Sequence, residues 1–250
     1  MAIEDYVQTH DNLSLYYKHY NNKKQNIVFL HGLAMDHESW YHQIEFFKKD
    51  YSLLLFDLRG HGQSSKPKAS IYYTLENLVQ DVKTVTEKVN LKRFNLIGFS
   101  LGGSIAMKFA QLYPEAIEKL VTINSPYSMD CIKKSFFYKL KFASFIPKEL
   151  FSLGLDNEPI WKYKNKITTH RKCFTKNDTM VIQNIVNNLK IYQNVSFKFK
   201  TKHLFIYSSH DEIVLPKPIP GSNLKIIEKG HHYVIAQKPN NINNIINDFL

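Results

Sequence analysis

The chain has 250 residues, of which 44% are hydrophobic and 22% charged, a composition typical of a soluble globular protein with a sizeable core. Its two cysteines, Cys131 and Cys173, exclude a disulfide-rich scaffold and favour a reducing, cytoplasmic location. The first residues lack the basic and apolar regions of a signal peptide, and no apolar run approaches the roughly 20 residues that span a bilayer, so we expect neither feature.

The predicted elements alternate between strands and helices, with one interruption. Continuous apolar runs bounded by turn residues indicate buried strands, and apolar residues three and four apart indicate amphipathic helices. In chain order the predicted elements are strands over 2–8, 14–20, 26–30 and 51–56, a helix that carries Trp40, Ile44 and Phe47 between the last two, a helix over 74–89, a strand from Phe94 with a helix after it, strands over 120–123, 203–208 and 224–227, and a final helix over 234–250. Such alternation predicts an α/β fold, with a mostly parallel central sheet flanked by helices.

The interruption covers residues 127–195, where strand signals disappear and the sequence becomes basic, aromatic and helical in patches. We interpret this segment as an inserted helical lid, with residues 1–126 and 196–250 forming the core. Most of the net charge of +11 falls here, since residues 127–200 contain 14 Lys and Arg against 5 Asp and Glu. A basic segment suits an acidic substrate, a membrane surface or nucleic acid, or is a solvated lysine-rich face. Because no recognised nucleic-acid module is present, we expect no nucleic-acid partner.

A serine stands at a sharp turn within FNLIGFSLGGSIAMKFAQL, residues 94–112. The apolar residues before the turn predict a strand, and those after it recur at helical spacing. Glycines two residues to either side of Ser100 leave room for strand and helix to pack around a strained backbone. Such a turn exposes the hydroxyl and points the first amides of the new helix at whatever the hydroxyl attacks. The pattern predicts a nucleophilic serine, with an idle serine in a structural turn as the alternative.

A serine nucleophile requires a base and a group that orients the base. Two adjacent histidines, His231 and His232, follow the predicted strand over 224–227. Asp211 and Glu212 follow the strand over 203–208, and an open parallel sheet places its site residues beyond the carboxyl ends of its strands. The sequence therefore contains nucleophile, acid and base in that order.

Five segments in the same order resemble the α/β-hydrolase fold superfamily, on its serine esterase-like side, over nearly the whole chain outside residues 127–195. They are FLHGLAMD, DLRGHGQS, GFSLGG, SSHDEIVLP and KGHHYVIAQKP. The resemblance implies an α/β-hydrolase core, a nucleophile elbow at GFSLGG, and acid and histidine loops at the last two segments. It implies no cofactor and no metal.

Carried over residue by residue, the resemblance makes Ser100 the nucleophile, His231 the base and Asp211 the acid. It favours His231 over the alternative His232 because the family's histidine directly follows the glycine. Alternative acids are Glu212, and Asp130, which follows the preceding strand.

The resemblance also implies an oxyanion hole, a pair of donors for the negative oxygen that develops during acyl transfer. The backbone N–H groups of Leu33 and Leu101 are the expected donors. His31 and His61 are interpreted as partners of loop backbone, and Asp57 and Arg59 as structural loop ties.

The function expected from these residues is a serine hydrolase that cleaves a small-molecule carboxylic ester through an acyl-enzyme. Serine at position 100 argues against the dehalogenase and epoxide-hydrolase branches, which use aspartate there. Relatives with the same triad remain open, and they are enol-lactonases, carbon–carbon bond hydrolases, aminopeptidases, thioesterases, cofactor-free haloperoxidases and the menaquinone-pathway lyase. The basic segment favours an anionic substrate, which keeps lactone acids and diketo acids open. A catalytically inactive binding protein on the same fold is the alternative from another class.

Overall fold

The computed structural model describes residues 2–22, 24–136, 179–188, 199–217 and 222–250. Its central feature is a sheet of eight strands in the order β1-β2-β4-β3-β5-β6-β7-β8. The strands are β1 Ala2–Gln8, β2 Ser14–Tyr20, β3 Asn26–Leu30, β4 Ser52–Phe56, β5 Phe94–Phe99, β6 Ile117–Ile123, β7 Lys202–Ser208 and β8 Asn223–Ile227. The β1–β2 and β2–β4 pairs are antiparallel and the remaining pairs are parallel.

Helices cover both faces of this sheet. They are α1 Tyr41–Phe47, α2 Leu75–Lys88, α3 Leu101–Leu112, α4 Thr179–Asn188, α5 Val234–Gln237 and α6 Pro239–Phe249. Alternate residues of the buried strands enter two separate cores, as in β3, where Val28 packs with α2 and α3 and Phe29 packs with α1, α5 and α6. The predicted α/β fold with a mostly parallel sheet is confirmed.

The predicted elements agree with the structure except near their ends. Strand β6 begins at Ile117, three residues before the predicted start, and the predicted final helix is divided into α5 and α6. The division falls at Lys238, which has φ −131° and ψ 57°. The pyrrolidine ring of Pro239 disfavours helical backbone at the residue before it, so the helix ends and a new one begins at the proline.

The predicted lid lies mostly outside the described residues, since 137–178 and 189–198 are among those left out. The boundary of the lid at residues 127–195 therefore stays a prediction. Within that region α4 packs on the core, with Val181 and Ile185 buried and with the Asn184 side chain donating to the Lys68 carbonyl at 2.6 Å. In the described ranges no helix is both long and apolar enough to cross a membrane.

Candidate active site

Ser100 occupies the junction between β5 and α3 and has φ 51° and ψ −116°. A non-glycine residue at positive φ is strained, and the close packing of the junction maintains the strain. A Cβ atom at Gly98 would lie 2.4 Å from the Gly102 carbonyl oxygen, and one at Gly102 would lie 2.2 Å from the Leu30 carbonyl oxygen. Glycine is therefore required on both sides of the serine so that β3, β5 and α3 can approach one another.

The Ser100 hydroxyl meets the imidazole of His232. His232 Nε2 lies 3.1 Å from Ser100 Oγ, and its Nδ1 lies 2.8 Å from Asp211 Oδ2 and 3.0 Å from Asp211 Oδ1. A carboxylate only accepts hydrogen bonds, so Nδ1 carries the proton in the neutral ring and Nε2 is left to accept from the serine hydroxyl. Serine, histidine and aspartate thus form one continuous hydrogen-bonded chain.

Asp211 is fixed by its own loop. Its Oδ1 atom accepts hydrogen bonds from the backbone N–H groups of Ile213 and Val214, each at 2.8 Å. Its backbone carbonyl accepts from Lys133 Nζ at 2.6 Å. The carboxylate side chain is fully buried, and that of His232 is 5% exposed. These contacts leave the carboxylate one orientation, in which it faces the imidazole.

The geometry corrects the prediction for the base, because His231 is not the imidazole that joins Ser100 to Asp211. His231 Nδ1 lies 2.9 Å from Glu212 Oε1, and its side chain is 37% exposed. The chain turns between the two residues, so their side chains leave the backbone in different directions, and only His232 packs against the Phe99 ring of β5, at 5.2 Å between centroids. The glycine-histidine pattern favoured His231, the histidine that does not contact Ser100, and no signal in the pair itself would have corrected that choice.

The alternative acids are placed elsewhere. Glu212 contacts His231 and the backbone N–H of His232, the latter at 2.9 Å. Asp130 is exposed, and within the described ranges no hydrogen bond joins it to either histidine. Asp211 is therefore the carboxylate that contacts the imidazole next to the serine.

The two expected oxyanion donors lie on neighbouring elements. Leu33 is in the loop that follows β3, Leu101 is the first residue of α3, and Leu30 of β3 stands opposite Gly98 of β5 in the parallel register. Neither the Leu33 nor the Leu101 N–H donates to another residue in the described part of the chain. Both donors thus follow the carboxyl ends of the adjacent strands β3 and β5, and their role stays a prediction.

The buried histidines near this end of the sheet bind loop backbone, as expected. His31 Nδ1 lies 2.8 Å from the Gly32 carbonyl oxygen, and its Nε2 accepts from the Leu58 N–H at 3.0 Å. His61 Nδ1 lies 3.0 Å from the Arg59 carbonyl oxygen. Burial lowers the pKa of His31, and it lowers the pKa of His61 to about 3, so both rings are neutral.

The two predicted loop ties are also present. Asp57 accepts from the backbone N–H groups of His37 and Gln63, both at 2.8 Å, which fixes the loop after β4. The buried Arg59 guanidinium contacts Asp81 at 2.6 Å and Asp11 at 2.7 Å. Among the residues that the structure describes, no cluster of His, Cys, Asp and Glu is suited to hold a metal ion.

Comparison with known families gives one match that covers most of the chain. The model of the alpha/beta hydrolase fold family matches residues 25–239. Among individual proteins, mouse "Epoxide hydrolase 4" is 33% identical over an alignment 142 residues long, which covers 52% of this chain and 39% of that protein. The chain thus spans well under half the length of this relative.

Solved structures share the fold over nearly the full length. A hydrolase from Pseudomonas aeruginosa PA01 has a TM-score of 0.85 at 18% identity and covers 98% of this chain, with 97% of its own chain aligned. The enol-lactonase from Burkholderia xenovorans LB400 has a TM-score of 0.83 at 20% identity, with 98% of this chain and 99% of its own covered. Identities this low are informative about the fold alone.

Proposed function

The chain belongs to the alpha/beta hydrolase fold family, and we propose that it is a serine hydrolase that cleaves a carboxylic ester through an acyl-enzyme intermediate. The observation that carries this proposal is the hydrogen-bonded chain from Ser100 Oγ through the His232 ring to Asp211. A small-molecule ester or lactone as substrate and a cytoplasmic location are parts of the same proposal.

In the first half of the reaction Ser100 Oγ attacks the carbonyl carbon of the ester while its proton passes to His232 Nε2. Asp211 holds the ring in the correct tautomer and stabilises the imidazolium that forms. The carbonyl oxygen becomes an oxyanion, which the Leu33 and Leu101 N–H groups bind, at roughly 3 kcal/mol of transition-state stabilisation per donor. The alkoxide then leaves and takes the proton from His232.

In the second half a water molecule attacks the acyl-enzyme. His232 Nε2 takes the proton of the water, and after the second tetrahedral intermediate collapses it returns a proton to Ser100 Oγ. The acid is released and the starting hydrogen-bonded chain is restored. Each proton transfer uses the same nitrogen, which is why the distance from His232 Nε2 to Ser100 Oγ is central.

The same chemistry separates this proposal from epoxide hydrolysis, the activity named for the mouse relative. If a serine oxygen opened an epoxide, the product would be an ether, which a water molecule could not hydrolyse at an acyl carbon. An aspartate nucleophile gives an ester and can turn over, but position 100 is serine. We therefore expect acyl substrates, which include enol-lactones because these are cyclic esters.

The test combines a fluorophosphonate probe with p-nitrophenyl esters of increasing acyl length, an enol-lactone and styrene oxide, each with wild-type protein and Ser100→Ala. We expect labelling and ester turnover in the wild type, none above background in the variant, and no turnover of styrene oxide. Ester turnover that persists in Ser100→Ala would contradict the proposed nucleophile. A wild type that is neither labelled nor active on any ester or lactone would favour a binding protein on this fold.

A further inference from the structure

Two adjacent carboxylates, Asp211 and Glu212, meet two adjacent histidines, His231 and His232, across the ends of β7 and β8. The proposed reaction uses only Asp211 and His232. We propose that Glu212 is a positioning residue for the same reaction, which fixes the backbone of His232 and so the direction of its imidazole. This inference rests on the proposed function.

Glu212 uses its two oxygens on different histidines. Oε2 accepts from the His232 backbone N–H at 2.9 Å, and Oε1 lies 2.9 Å from His231 Nδ1. The His231 ring thereby fixes the Glu212 carboxylate, which in turn fixes the backbone of His232. The side chain of Glu212 thus connects the acid loop directly to the main chain of the histidine next to the serine.

Other contacts hold the same short segment. Gln237 Oε1 accepts from the His231 N–H at 2.8 Å, and the buried Asn124 side chain donates to the carbonyls of His231 and His232 at 3.2 and 2.7 Å. Gln237 and Asn124 thus bind three of the four backbone polar groups of the two histidines, and Glu212 binds the fourth, the His232 N–H. Without that carboxylate, the His232 N–H loses this acceptor, and among the described residues the peptide between the histidines keeps the 3.2 Å contact from Asn124 to the His231 carbonyl.

Glu212 and His231 contribute little to the core. Their side chains are 38% and 37% exposed, and an ion pair at that exposure stabilises a fold by at most about 1 kcal/mol. Their expected effect on the reaction is larger, because a shift of about 1 Å between reacting groups costs about 100-fold in rate. Activity should therefore respond to Glu212 more than stability does.

The test uses three variants of the full chain, assayed with p-nitrophenyl acetate. Glu212→Ala removes both hydrogen bonds and the charge, Glu212→Gln retains an acceptor for the His232 N–H without the charge, and His231→Asn retains a donor toward Glu212. Each is compared with wild type for kcat, KM and melting temperature, with Ser100→Ala in parallel.

We expect Glu212→Ala to lower kcat by about 10- to 100-fold at unchanged KM and with a shift of melting temperature of only a few degrees. Glu212→Gln should recover kcat to within about fivefold of wild type, and His231→Asn should stay within about fivefold. A wild-type kcat in Glu212→Ala, or equal losses in the alanine and glutamine variants, would overturn the inference. Turnover that survives in Ser100→Ala would instead overturn the proposed function.

Discussion

The Asp211–His232 and Glu212–His231 pairs are made by consecutive residues of the same two loops, yet their surroundings differ. The first pair is enclosed, with side-chain exposures of 0% and 5%, and reaches the Ser100 hydroxyl. The second has exposures of 38% and 37% and faces solvent. Each pair consists of one histidine and one carboxylate, so the residue types alone do not distinguish the two pairs. The direction of each side chain relative to the sheet therefore decides which pair contacts Ser100, and the proposed reaction uses that pair.

The largest expected effect concerns the enclosed carboxylate. Asp211→Asn keeps the shape of the side chain but replaces an acceptor-only group with one that favours the wrong tautomer of His232, so kcat should fall by about 10⁴-fold, as in other triads. The control is Asp130→Asn, which changes the exposed alternative acid and should leave kcat within about twofold. Steady-state hydrolysis of p-nitrophenyl acetate measures both. A loss confined to Asp130→Asn would reverse the assignment of the acid.

A second prediction concerns the junction that presents the serine to the enclosed pair. Gly102→Ala would place a Cβ atom 2.2 Å from the Leu30 carbonyl oxygen in the main chain of β3, whereas Gly230→Ala would place one 2.8 Å from the Ser208 side-chain oxygen, which can shift at the cost of its 2.9 Å hydrogen bond from Asn124. We expect Gly102→Ala to destabilise the fold by about 3 kcal/mol or more and Gly230→Ala by under about 1.5 kcal/mol. Urea unfolding measures the difference. Equal free energies of unfolding for the two variants would show that β3 and α3 pack less tightly than the 2.2 Å distance implies.

Because His61 is buried, we expect it to make the stability of the fold depend on pH. The pKa of His61 is about 3 in the folded protein and about 6.5 in an unfolded chain, so the unfolded state takes up the proton first as the pH falls. The contribution of the neutral His61 ring to the free energy of unfolding is therefore complete above about pH 6.5 and decreases as the pH falls below that value. The contribution of His61 between pH 7 and pH 5 is up to about 2 kcal/mol.

His61→Asn keeps a donor near the position of Nδ1 and removes the titrating ring. We expect a shallower loss of stability between pH 7 and pH 5 in this variant than in wild type, whatever its stability at pH 7. The exposed His10→Asn controls for the loss of a histidine at the surface. A pH dependence in His61→Asn as steep as that of wild type would contradict the low pKa of His61.

The smallest expected effect tests the support behind Asp211. Lys133→Met removes the hydrogen bond of Nζ to the Asp211 carbonyl but keeps a long side chain. A charge-assisted hydrogen bond of this kind contributes about 1.5 kcal/mol, so kcat should fall by roughly 3- to 10-fold. Lys134→Met, at the exposed neighbouring position, is the matched control. Identical kcat values for the two variants would show that Lys133 has no part in holding the acid loop.

Sequence patterns predicted most of this molecule because the relevant signals are local. Apolar runs such as NIVFL identify strands that are buried on both faces, and the glycines around Ser100 identify a turn with no room for side chains. Asp211 was found for a similar reason, since parallel strands place their following loops at one edge of the sheet. The fold class and the position of the serine follow from these features.

The histidine that contacts Ser100 did not follow, because its choice depends on a direction that no local pattern encodes. His231 and His232 differ by one position in a turn. The contacts that orient them come from Asn124 and Glu212, which are distant in sequence, and from Gln237 in the helix that follows. The break before Pro239 was, by contrast, present in the sequence, since the residue before proline disfavours helical backbone.

In the proposed reaction His232, and not His231, transfers the proton of Ser100, and the rate of Ser100 labelling by a fluorophosphonate measures this transfer. We expect His232→Ala to slow labelling by about 10³-fold or more, while His231→Ala, which leaves the Ser100–His232–Asp211 chain in place, slows it by less than about tenfold. Rapid labelling of His232→Ala together with loss of labelling in His231→Ala would show that His231 is the base.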